Sequence, residues 1–388
     1  MKQVYLDHCA TTPIDPRVVE AMLPYYSAEY GNASSIHSYG RKARRALEES
    51  REQIAQFIGA KYDELFFTSG GTESDNHAIY GTIRAWSGGR KSKIVTTAVE
   101  HHAILDPVDA LRSEGFAVRL VGVDRDGLVD PEAIRRELDK AVSIVSVVHA
   151  NNEVGTIQPL KQIAAICKER GIVIHSDAVQ SVGKIPVHVQ DLGVDLLSLS
   201  AHKIYGPKGI GAIFIRKGTK IDSFMKGGSQ ESNRRAGTEN VPLAVGFAKA
   251  VEICSHQMGE DNSRMLRLRE SLKGRIADHF PNVVFNGHPT LGLPHILNIS
   301  FDSSKQPVDG EALIMGLDLQ GIAVTSGSAC TSGSLQPSHV LLAMGRDEQT
   351  AKATIRFSLG RSTTDDDIEY TVEALKGVVE QAGKGSKK

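Results

Sequence analysis

The 388-residue chain is short of several things, and each shortage removes a class of answer. It has four cysteines, Cys9, Cys167, Cys254 and Cys330. They lie far apart with no Cys-x-x-Cys pair, which argues against a disulfide framework or a closed zinc site. No apolar run approaches the roughly 18 residues of a membrane-spanning helix. The stretch from Met1 to Asp7 has no apolar core like that of a signal peptide. A net charge of -1 leaves no electrostatic footprint for nucleic acid or an anionic membrane surface. The densest basic run, Arg41-Lys42-Ala43-Arg44-Arg45, is followed by Glu48, Glu49 and Glu52, and reads as a solvated helix face. Cytoplasmic residence is the expectation, with neither nucleic acid nor membrane as a partner.

What is present is an ordinary globular composition, 40% hydrophobic and 23% charged, long enough to bury a large core. Short apolar runs alternate with helical patterns. Leu65-Phe66-Phe67, Lys93-Ile94-Val95, Ile144 to Val148, Ile172-Val173-Ile174 and Leu196 to Leu199 read as buried strands, and Leu160 to Arg170 as an amphipathic helix. That alternation predicts an α/β domain with a mainly parallel sheet flanked by helices. Residues 261 to 281 read as one long charged helix leading into a smaller α/β C-terminal domain. That domain begins near Val283 and ends in a helix from about Asp365 to Gln381, with a disordered tail from Gly383. The expected division is 15–260 for the large domain, with 1–14 and 261–388 forming the small one.

Several apolar strands end in a burst of polar residues, and in parallel sheets such ends can share one pocket. Thr68 to Ser74, with Gly70, Gly71 and Thr72, suits either an anion site at a helix N-terminus or a capped turn. In Glu100-His101-His102 adjacent histidines point apart, which argues against joint metal ligation and favours ring stacking or helix capping. Asp177 ends an apolar strand, where a carboxylate needs a cationic or donor partner unless it caps a helix. Lys203 stands at the end of another strand, between Ser200, His202 and a glycine-rich turn. Desolvation there lowers an amine's pKa and makes it a Schiff-base nucleophile.

The ordered motifs resemble those of fold-type I pyridoxal-phosphate enzymes of the class V aminotransferase superfamily, nearest to cysteine desulfurases of the NifS/IscS type. They include Leu6-Asp7-x-x-Ala10-Thr11-Thr12-Pro13, Thr68 to Asn76, Asn151-Asn152-Glu153-Val154-Gly155, Asp177 to Ser181 and Ser200 to Gly209. Gly31-Asn32-x-Ser34-Ser35-x-His37, Glu100-His101, Arg235-Ala236-Gly237-Thr238, Ser326 to Cys330 and Arg356 to Gly360 complete the set. Residues 6 to about 361 are covered. His8 and Cys9 depart from the asparagine or alanine usual after Asp7, and Cys9 is read as structural. The family's long C-terminal scaffold-docking extension is not evident in Gln381 to Lys388.

The resemblance implies pyridoxal 5'-phosphate as cofactor, linked to Lys203, with Asp177 on the pyridine nitrogen, Gln180 on the phenolate oxygen and His101 stacked on the ring. Gly71, Thr72, Ser200 and His202 would hold the phosphate, together with Thr238 from the neighbouring subunit of a homodimer. Asn152, Arg356 and Asn32 would receive the substrate carboxylate. Cys330 lies in a small, polar, glycine-rich stretch that suits a surface loop, whereas Cys167 and Cys254 fit helical core faces. By resemblance, Lys203, His101 and Cys330 are catalytic. L-cysteine would yield alanine and a Cys330 persulfide for an acceptor such as an iron–sulfur scaffold. No intrinsic metal is expected beyond transient cluster ligation by Cys330. Selenocysteine lyase or another class V reaction is the alternative reading.

Overall fold

The computed structural model describes residues 2–86, 92–327 and 336–385; Cys330 lies outside them. Among the described residues there are twelve strands. They are β1 (Val4–Tyr5), β2 (Leu65–Thr68), β3 (Lys93–Thr97), β4 (Ala117–Val121), β5 (Val142–Ser146), β6 (Val173–Asp177) and β7 (Leu196–Ser200), followed by β8 (Gly211–Ile215), β9 (Val283–Asn286), β10 (Ile296–Phe301), β11 (Ile322–Ala323) and β12 (Thr354–Ser358). Seven of them form one sheet in the order β2-β8-β7-β6-β5-β3-β4. The pairs from β4 through β3, β5 and β6 to β7 are parallel, while β8 runs antiparallel to β7 and β2. The fold is α/β with a mainly parallel sheet. Strands β5, β7 and β8 are buried along their whole length, as expected where helices cover both faces.

The sequence pattern misses β4 and β8 for different reasons. β4 lies at the sheet edge with Ala117, Arg119 and Leu120 exposed, so it lacks a continuous apolar run. β8 follows directly on the glycine-rich stretch that reads as a turn.

The long helix also starts earlier than position 261: it spans Val241–His279. Asn240 caps it by accepting the Leu243 N–H at 3.2 Å, and Pro242 sits in the first turn. From Val241 to Cys254 the helix is largely apolar and packs into the core around the large sheet, which hides the amphipathic period there. Leu268, Leu272 and Ile276 pack into a second core with Ile299, Phe301, Ile355, Phe357, Ile368 and Leu375. That core lies against the antiparallel sheet β9-β10-β12, and β1 pairs with β11 beside it. The last helix, Asp365–Gly385, runs into the segment read as a tail. No helix among the described residues is long and apolar enough to cross a membrane.

One buried ion pair fastens the surface segment that carries Thr238. Arg51 Nη1 and Nη2 donate to the two carboxylate oxygens of Glu231 at 2.6 and 2.8 Å, and the Phe67 amide of β2 donates to one of them at 2.8 Å. Glu231, Ser232 and Asn233 are held with φ of 45°, 53° and 63°, a left-handed run that costs free energy for non-glycine residues. Removing one partner strands the other charge away from water. Glu231→Ala is therefore expected to destabilise the chain by roughly 3–5 kcal/mol. The denaturant midpoint checks this; a shift equivalent to less than about 1 kcal/mol, the value of an exposed pair, contradicts it.

Candidate active site

The carboxyl ends of β3, β5, β6 and β7 open onto one cavity of 380 Å³. Lys203 reaches it from a short turn, Ala201–Lys203, that directly follows β7. Its Nζ donates to the carbonyl oxygens of Cys9 and Ala10 at 2.5 and 2.8 Å. Burial lowers its pKa to about 8. Asp177 is the last residue of β6 and faces Ser198 across the register with β7. It is buried, and its Oδ1 accepts the Val179 N–H at 2.8 Å. Burial raises its pKa, opposed by His101 and Lys203.

The helix Gly71–Trp86 points its N-terminus at the same cavity, and Gly71, Thr72, Ser200 and His202 line it. A Cβ on Gly71 would meet Val179 Cγ2 at 2.7 Å, so the helix comes this close to the segment after β6 only because the residue is glycine. His202 Nδ1 pairs with Thr11 Oγ1 at 3.1 Å. His101 lines the cavity and also caps the helix His102–Ser113, accepting the Ala103 N–H at Nδ1 (3.0 Å). That bond fixes Nδ1 as the acceptor, so in the neutral ring the proton sits on Nε2. Gln180 also lines the cavity, with its Nε2 donating to the Cys9 carbonyl at 3.0 Å.

Arg356 enters from β12, placed by bridges that pair Thr325 with Arg356 and Asp7 with Ser358. Its Nη1 donates to the Asn152 carbonyl and its Nη2 to Asp7 Oδ1, both at 2.8 Å, while Nε has no partner. Asn152 lines the cavity. Two expected residues are not brought there. Asn32 is exposed, with its side chain accepting the Ser34 N–H, and Thr238 lines a separate 170 Å³ cavity with Ser69 and Arg235. Cys330 falls outside the described residues.

Comparison with known proteins places the chain in a family and matches its fold. The family model described as Aminotransferase class-V matches residues 4–371. The chain belongs to the class-V aminotransferase family. It is 48% identical over 380 residues to "Cysteine desulfurase IscS" of Dictyoglomus turgidum, covering 98% of this chain and 95% of that protein. It is 44% identical over 376 residues to "Cysteine desulfurase" of Homo sapiens, covering 96% and 81%. A solved structure titled "NIFS-LIKE PROTEIN" superposes with a TM-score of 0.91 at 37% identity, covering 98% of this chain and all of that one.

Class-V aminotransferases use pyridoxal 5'-phosphate, and the donor set fits it. A buried carboxylate awaits a cation, a helix N-terminus with hydroxyl and imidazole donors suits a phosphate, and an amine of lowered pKa stands between them.

Three buried groups that the sequence reading passed over support the class-V cavity from beneath. Asp75 is buried, with Oδ1 lacking a hydrogen-bond partner and His175 Nε2 3.6 Å away. His175 bridges Ser146 Oγ at 2.9 Å and Ser198 Oγ at 3.0 Å, and burial lowers its pKa to about 3. Glu100 accepts Thr97 Oγ1 at 2.6 Å and the Val148 N–H at 2.9 Å, leaving Oε2 unpartnered. Burial raises its pKa to about 8. Glu100 and Asp75 stand in motifs already singled out, next to His101 and Thr72, and that proximity was the available signal.

Because the folded Glu100 keeps its proton to higher pH than the unfolded chain, it contributes nothing below the unfolded value of 4.5. It destabilises increasingly as pH rises towards about 8, and levels off above. Glu100→Gln removes this slope. The unfolding midpoint of the variant relative to wild type should therefore rise between about pH 5 and about pH 8.5. A difference that stays flat over that window contradicts the assignment.

Proposed function

We propose that the chain is a cysteine desulfurase that converts L-cysteine to L-alanine and leaves the sulfur as a persulfide on Cys330. The observation that carries this is Lys203, Asp177 and Arg356 converging on one cavity. Bound there, pyridoxal phosphate supplies an electron sink that makes the Cα proton of a linked amino acid acidic. Lys203 would anchor the cofactor through its Nζ, and its free amine would take the Cα proton of the substrate. Its pKa of about 8 leaves an appreciable share of the amine neutral near neutral pH. Asp177 would keep the ring nitrogen protonated and Gln180 would donate to the ring oxygen. Gly71, Thr72, Ser200 and His202 would hold the phosphate at the helix N-terminus.

Arg356 and Asn152 orient the substrate carboxylate, with Asn32 nearby in the assembled enzyme. His101 moves a proton at the substrate thiol through Nε2, because Nδ1 is committed to the helix cap. The Cys330 thiolate attacks the substrate sulfur, the sulfur–Cβ bond breaks with its electron pair left on carbon, and proton return gives alanine. In balance, cysteine and the Cys330 thiol become alanine and the Cys330 persulfide.

Further parts of the proposal rest on the family motifs. They are a homodimer in which Thr238 completes the neighbour's phosphate site, cytoplasmic residence, and delivery of sulfur to an acceptor such as an iron–sulfur scaffold. The division into residues 15–260 and residues 1–14 with 261–388 is supported by the two apolar cores.

Two substitutions separate the steps. Cys330→Ala should keep the cofactor's absorption and its response to cysteine, yet lose sulfide release with dithiothreitol. Full retained release refutes the acceptor role, and a keto acid in place of alanine refutes the reaction class. Lys203→Ala should lower turnover by at least roughly 10²–10⁴-fold, the worth of a positioned proton acceptor; unchanged turnover refutes the Schiff-base assignment.

A further inference from the structure

Resting on the assignment of Lys203 above, we propose that Thr12 is the positioning residue for that lysine. Its single hydroxyl clasps the turn that carries Lys203 to the turn whose carbonyls receive the Lys203 amine.

The turn after β7 is unusual in its backbone. Tyr205, two residues past Lys203, is held with φ of 65°, a left-handed conformation that a bulky side chain adopts only when its surroundings impose it. The surroundings are specific. Tyr205 Oη accepts the Arg361 N–H at 2.8 Å, and its ring lies between two cations, Arg361 at 4.3 Å and Lys184 at 4.9 Å. Arg361 is itself fixed by Asp261 at 2.6 Å and Asp15 at 3.5 Å.

On the backbone side the restraint is Thr12, which is 2% exposed. Its Oγ1 accepts the Tyr205 N–H at 2.8 Å and donates to the His202 carbonyl at 2.8 Å, and its own N–H donates to that same carbonyl at 3.1 Å. These bonds bracket Lys203 in sequence on both sides.

The other face of Thr12 concerns where the amine goes. Three and two residues upstream are the carbonyls of Cys9 and Ala10 that accept from Lys203 Nζ. The Cys9 N–H is tied to Ser358 Oγ at 2.9 Å. One hydroxyl therefore fixes both the Cα of the lysine and the acceptors of its ε-nitrogen. An amine that must bond to a cofactor carbon, leave it, and then take a proton from the substrate needs that separation kept to a fraction of an ångström. Thr12 is not among the residues lining the cavity; it acts through Lys203.

The test compares Thr12→Val, which keeps the shape and removes the hydroxyl, with Thr12→Ser, which keeps the hydroxyl. In the cofactor-loaded enzyme, borohydride reduces the carbon–nitrogen double bond and fixes the cofactor to lysine. Peptide mass then gives the share fixed to Lys203. In Thr12→Val that share should fall at least about threefold, and kcat about 10²-fold with KM within about threefold, as for a misplaced group rather than lost binding. Thr12→Ser should restore both.

The proposal is overturned if Thr12→Val equals wild type in either readout, or if Thr12→Ser does no better than Thr12→Val. It is also overturned if the losses merely follow the fraction unfolded, read in parallel by thermal melting. Should Thr12→Val fail to fold, Thr12→Ala takes its place with the same expected pattern. A wild-type enzyme in which borohydride fixes nothing to Lys203 overturns the lysine assignment itself. Fixation that is normal in wild type and unchanged in the variant overturns only the role of Thr12.

Discussion

The site depends on one electrostatic constraint: an amine and a carboxylate taken out of water at the ends of neighbouring strands, close enough to bias one another. Burial moves them in opposite senses. It pulls Lys203 down to about 8 and pushes Asp177 up, while each opposes the shift of the other. Neither group reaches that state alone on a surface loop, where water restores its ordinary value. The parallel sheet creates it, because β6 and β7 run side by side and end at the same edge. The antiparallel β8, with β2 outside it, then continues the sheet beyond β7, so the strand that leads into the lysine turn is paired on both sides.

Beneath that pair, the interior is arranged so that Asp177 does not compete with other anions. Asp75 and Glu100 lie close enough for each to feel Asp177, and burial raises the pKa of both. Burial thus favours the neutral form of each carboxyl. His175, His149 and His8 are likewise lowered by burial and stay neutral, so the positive charge facing the cavity comes from Lys203 and Arg356. Uncompensated charge in a low-dielectric pocket would be costly, and this distribution avoids it.

Much of this was legible in the sequence because chemistry and strand ends coincide. An apolar run that stops at a polar cluster announces itself and marks Asp177, Lys203, His101 and Thr72 as candidates, while the family resemblance supplies their roles. The long helix was misread at its start for the converse reason: from Val241 to Cys254 it is buried nearly all round, and a segment without a polar face has no helical period to detect. Glu100 and Asp75 stood inside conspicuous motifs, but their importance lies in unpartnered oxygens, a property of three-dimensional surroundings rather than residue type. Thr12 was quoted only as part of a motif, since a threonine near the N-terminus gives no hint that its hydroxyl joins residues 202 and 205.

The two cores are joined so that the cavity walls are set before anything binds. The Val241–His279 helix is shared by both, contributing Phe247 and Val251 to one and Leu268 and Leu272 to the other. Arg361, just beyond β12, is tied to Asp261 on that helix and to Asp15 near the N-terminus. Arg356, on the same strand, is tied to Asp7 and to the carbonyl of Asn152. The strand that carries Arg356 is thereby anchored to the turns that surround Lys203. Fixed dipoles and charges lower a barrier only insofar as they need not reorganise during the reaction, so this cross-bracing belongs to the chemistry as much as to stability. It also confines the required movement to groups that change partners, the ε-amine of Lys203 foremost. That amine rests on backbone carbonyls, weak enough acceptors to release it and fixed enough to return it to the same place.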